Sequence, residues 1–73
     1  MTKIQVSVIP GSNFSPSSLM YRYAAMTPGV TFFRDRYGAS RLHIGGKVYD
    51  YHHWTLSTDD NTVTVYLEEV QPQ

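Results

Sequence analysis

Lys3 to Ile9 alternates, with Ile4, Val6 and Val8 on one side and Lys3, Gln5 and Ser7 on the other. That two-residue period predicts a half-buried β-strand, closed by Pro10-Gly11. A longer period begins at Ser15-Pro16. Ser15 is a good N-cap, and Pro16 suits the first helical position, where no N–H is needed. Phe14 before the cap and Leu19 at the fourth helical position fit a hydrophobic staple. Leu19, Tyr23 and Met26 share one helical face, with Met20 and Ala24 beside them. Thr27-Pro28-Gly29 ends the helix. A helix this short is marginal alone in water, so it has to dock on a sheet.

From Val30 the pattern is strand and turn. Strands are predicted over Val30 to Arg34, Ser40 to Ile44, Lys47 to Leu56 and Thr62 to Glu68, and Gln71-Pro72-Gln73 reads as a frayed tail. Asp35 to Ala39 fits a three-residue hairpin loop with Gly38 in the left-handed position. Gly45-Gly46 is a two-residue hairpin turn, and Thr58-Asp59-Asp60-Asn61 is a turn cluster. The turns fix the register. Gly45-Gly46 sets Leu42 opposite Tyr49, His43 opposite Val48 and Arg41 opposite Asp50. A four-residue first loop sets Arg34 against Arg41, which repels. A three-residue loop instead sets Phe32 against Leu42 and Val30 against Ile44. The last hairpin pairs Leu56 with Val63 and Trp54 with Val65. One face then holds Val30, Phe32, Leu42, Ile44, Tyr49 and Tyr51 under the helix. Trp54 and Leu56 join that face only if the strand gains one residue, which places a β-bulge at His52-His53. The opposite face carries Phe33, Arg41, His43, Val48, Asp50 and Tyr66. The fold class is α+β: one small domain over residues 1–73, ordered β-α-β-β-β-β, with an antiparallel meander and one short helix packed on one sheet face.

Composition narrows the function classes. The chain has 73 residues, 41% of them hydrophobic and 16% charged, which suits a folded domain with a thin core. It contains no Cys, which removes disulfides and thiolate metal sites. Its apolar runs are far shorter than the ~18 residues of a membrane span. The alternating start is unlike a secretory signal, which predicts a cytoplasmic protein without membrane contact. The net charge is zero, yet all six Lys and Arg lie at or before Lys47, and only Asp35 opposes them there. Every other acidic residue lies beyond Val48. With Arg41 pairing Asp50, this predicts a cationic end at Arg34 and Arg36 and an anionic end at Asp59 and Asp60.

Candidate chemistry is sparse. The serines fit no nucleophile motif, and no enzyme is expected. His43, Asp50, His52 and His53 have zinc-type donors, but adjacent His residues in a strand point to opposite faces, so neither a metal nor another cofactor is expected. The cluster Phe33, Arg34, Arg36, Tyr37 and Arg41 joins aromatic and cationic groups at one hairpin, a combination favoured at protein interfaces. Lys3 and Gln5 mark a first strand that can lie at an edge, open to extension by a partner's backbone. These seven residues are the candidate contacts of a monomeric, non-enzymatic domain that binds a larger protein complex. The alternative is a sheet that stacks single-stranded nucleic acid on its aromatics, with phosphate contacts from the arginines.

A short, cysteine-free, single-domain chain with an arginine-aromatic hairpin and no catalytic motif resembles the small host-takeover proteins of bacteriophages. In length and character it is similar to the phage regulators that bind host RNA polymerase, including those that block initiation and promote antitermination. The resemblance implies binding to the polymerase in the host cytoplasm, with altered transcription initiation or termination. No residue roles are carried over from that class.

Overall fold

The computed structural model describes residues 2–70. The order is β1 (Thr2–Ser7), α1 (Pro16–Met26), β2 (Val30–Arg34), β3 (Ser40–Ile44), β4 (Lys47–Ser57) and β5 (Thr62–Glu69). All five strands form one antiparallel sheet in the order β1-β5-β4-β3-β2. The β2-to-β5 meander is the predicted one. The position of β1, beside β5 at the edge, follows no local turn and emerges only in three dimensions. The predicted tail, Gln71 to Gln73, lies outside the described residues.

The turns explain the register. Gly45 and Gly46 have φ of 58° and 80°, the double left-handed geometry whose twist matches an antiparallel hairpin. It sets Ile44 opposite Lys47 and Leu42 opposite Tyr49. Gly38 takes φ 83°, and the Asp35 N–H donates to the Ala39 carbonyl at 2.9 Å, closing the three-residue loop. Phe32 then pairs with Leu42, and Arg34 with Ser40. The register shift in β4 falls between Asp50 and His53, so Tyr51 and His52 both lie opposite Leu67. The bulge thus begins one residue before the expected His52-His53. It still returns Trp54 and Leu56 to the helix side, opposite Val65 and Val63.

The helix is held at its start as its sequence requires. The Ser15 hydroxyl accepts from the Ser18 N–H at 3.1 Å, the Ser18 hydroxyl reaches the Ser15 N–H at 3.3 Å, and Pro16 opens the first turn. Leu19 and Met20 are buried with Ile4, Leu42, Val63, Val65 and Leu67, which together form the core between helix and sheet. Phe14 packs against this core and meets the Trp54 ring edge-on, with centroids 5.2 Å apart. Met26 departs from the expected stripe. It is 82% exposed and packs neither in the core nor against it. Trp54 and Leu56 also remain partly exposed, at 42% and 46%. Among the described residues no helix is long and apolar enough to cross a membrane.

Candidate functional site

Alternation sends Phe32, Leu42 and Val65 toward the helix, and the same alternation sends their neighbours to the other side of the sheet. Among the described residues, no helix or second sheet lies over that side. Its side chains form rows across the strands. Phe33, Arg41, Asp50 and Glu68 make one row. Thr31, His43, Val48 and Val70 make the next, with the Val70 N–H donating to the Val48 carbonyl at 2.8 Å. On the other flank His53, Tyr66 and Lys3 align, followed by Thr55, Thr64 and Gln5.

At the β2–β3 end, this face dips into a half-open depression of about 550 Å³, lined by Phe33, Arg36, Arg41, Val48 and Val70 with Lys47 and Glu69 at its margin. Phe33, Val48 and Val70 are half-buried and supply the apolar surface. Val70 lies past the predicted end of its strand. The parity that places Tyr66 and Glu68 on this face, carried two residues further, finds it.

Arg41 organises the polar part. Its guanidinium donates through Nε to the Asp35 carboxylate at 3.3 Å, and through a terminal nitrogen to Asp50. Asp50 in turn contacts the His52 Nε2 at 3.0 Å. Asp35 also accepts from the Tyr37 and Ala39 N–H groups at 2.8 and 2.9 Å. The Ala39 N–H is the chief reason its carboxyl titrates below the ordinary value, and the Tyr37 N–H and Arg41 add to the effect. Asp35 therefore shapes the hairpin tip as well as opposing its cations. Asp at the first position of the turn, just before the three loop residues, is the sequence signal for that role.

The predicted contact residues do not form one cluster. Phe33, Arg36 and Arg41 meet around the depression. Arg34 has the parity of Phe32 and leaves β2 on the helix side. Tyr37 stands 83% exposed at the tip, with the Arg36 guanidinium 5.9 Å from its ring centroid. Lys3 and Gln5 share the open face but lie on β1, four strand spacings from β2, or roughly 19 Å. Among the described residues, no three His, Asp or Glu side chains converge as a metal site, so the donors His43, Asp50, His52 and His53 are not assembled into one.

The charge arrangement differs from two opposite ends. β2 and β4 run in the same direction, so the tips that follow them, with Arg36 and with Asp59 and Asp60, point the same way, and the longer β4–β5 hairpin projects further. The separation instead runs across the strands. Lys3 on β1 and Arg22 on α1 give +2. The β4–β5 pair, with Lys47 against Asp50, Asp59, Asp60, Glu68 and Glu69, gives −4. The β2–β3 hairpin, with Arg34, Arg36 and Arg41 against Asp35, gives +2. The acidic part of the sequence folds into the middle of the sheet, and cationic flanks border it. Comparison of the chain with known protein families, with curated proteins and with solved structures finds no match.

Proposed function

We propose that the domain is a non-enzymatic protein-binding regulator that acts by occupying a surface of a larger protein assembly. The observation that carries this reading is the open sheet face. There Phe33 stands half-buried beside Val48 and Val70, and Arg36 and Lys47 border the apolar floor. An apolar centre with an aromatic anchor and a charged rim is the anatomy of a protein contact. Arg41, held between two carboxylates, positions the hairpin, and Arg36 is the cation left to meet a partner. The charges on the face also favour protein over nucleic acid, because Lys3 and Arg41 are matched by Asp50 and Glu68. A phosphate backbone is bound by an excess of cations.

The resemblance to phage regulators makes bacterial RNA polymerase the first partner to test. Purified polymerase is expected to retain the chain, and the double substitution Phe33→Thr with Arg36→Glu is expected to abolish retention without changing the melting temperature by more than a few degrees. Retention of the double variant removes the open face from the contact, and failure of the native chain to bind removes the polymerase as its target. Short single-stranded DNA and RNA are expected not to bind at low salt. Binding that weakens steeply as salt rises establishes the nucleic-acid reading instead.

A further inference from the structure

Among the described residues no strand lies beyond β1, and its outer edge offers a second surface. The Val8 N–H donates to the Asn61 carbonyl at 2.8 Å, and Val6 and Ile4 follow in the same phase opposite Val63 and Val65. Backbone groups alternate in direction along an antiparallel strand. The N–H and C=O of Lys3, Gln5 and Ser7 therefore point away from β5, along an edge where the sheet ends. Such a row is a template for an added strand.

This edge runs beside α1, and between them lies a half-open groove of about 380 Å³ lined by Gln5, Val6, Arg22, Tyr23 and Met26. Val6, Tyr23 and Met26 make it apolar. The exposure of Met26, unexplained by the core, puts a flexible thioether where it can adapt to an incoming side chain. Arg22 is the cation of the groove and, among the described residues, has no carboxylate within ion-pair reach; neither has Lys3. β1 and α1 contain no Asp or Glu, and none precedes Asp35 in the chain.

We infer that this groove takes an extended, acidic segment of a partner protein. Its backbone continues the sheet as a sixth strand on Lys3, Gln5 and Ser7. Its alternate side chains face α1, with apolar ones against Val6, Tyr23 and Met26 and a carboxylate on Arg22. A second copy of the chain added through the same edge brings Lys3 and Arg22 toward like charges, which disfavours self-pairing. The inference does not rest on the open-face contact, so the two readings fail separately.

The probe is the capped peptide Thr-Val-Thr-Glu-Thr-Val-Thr, compared with the same peptide carrying Lys in place of Glu, each titrated into isotope-labelled full-length chain and followed by NMR. The expected result is that shifts centre on the amides of Lys3, Gln5 and Ser7 and on Arg22 and Met26. Those three amides should also slow in hydrogen exchange. The Lys peptide should bind about tenfold more weakly, the loss of one charge-assisted contact. Arg22→Glu, on an exposed helix position, should reverse the preference with the melting temperature retained. The Phe33→Thr, Arg36→Glu variant should bind the Glu peptide as the native chain does. Equal affinity for the two peptides, an unchanged preference in Arg22→Glu, shifts centred on the open face, no binding at millimolar peptide, or a dimer formed through β1 each overturns the inference.

Discussion

Asp35 shows how one carboxylate links the local turn to the proposed contact. Two backbone N–H groups and Arg41 hold it, and they depress its pKa in the folded state. A depressed folded pKa means that its stabilising contribution is complete above the unfolded value, near 3.8, and is lost as pH falls through the lower folded value. Asp35→Ala is therefore expected to lower the melting temperature at neutral pH. The gap to the native chain should narrow below about pH 4, as thermal scans across the acid range would show. Replacing Arg41 with Ala leaves the Asp35 and Asp50 carboxylates without the cation between them, and is expected to cost about 1–3 kcal/mol in denaturant unfolding.

At the scale of elements, most of the meander was legible because its determinants are local. Gly45-Gly46 fixes one hairpin. The clash of Arg34 with Arg41 excludes the wrong register of another, and the phase of Trp54 and Leu56 demands a bulge. The partner of β1 was not legible, since Ile4 to Val6 carries the same alternation whichever edge it joins. Nor was Met26, whose spacing from Leu19 predicts a face but not how far along that face the core reaches. The Phe33 face was legible from parity, whereas its Val70 component was lost with the strand boundary. Deleting His52 tests the bulge directly. Without the extra residue, Tyr51 alone faces Leu67, His53 and Trp54 keep Tyr66 and Val65 as partners, and Trp54 and Leu56 stay on the helix side in regular alternation. The single Trp should then emit at an unchanged wavelength with the fold retained, whereas a shift to longer wavelength with a lower melting temperature would mean that β4 holds no removable extra residue at this point. Ser15→Ala, which removes the helix cap, is expected to cost about 1 kcal/mol.

At the scale of the molecule, seven buried apolar side chains among the described residues form the core, and the chain of 73 residues has no cysteine to reinforce it. Little redundancy exists at any of them. Leu42→Ala, at a fully buried position on β3, is expected to lose about 2–5 kcal/mol, a large part of the 5–15 kcal/mol typical of a domain. Urea titration should find this variant partly unfolded at room temperature. The cationic flanks about an anionic middle carry a different consequence, for the approach of a partner. Cationic flanks of +2 each about a middle of −4 leave fields that largely offset one another at a distance. With zero net charge the remaining field decays faster than that of an ion, and ionic screening over about 8–10 Å removes most of what remains. Encounter should therefore proceed at an association rate nearly independent of salt. The domain would then choose its partner on touching it, where strand edge and aromatic face can be read, rather than by drawing it in.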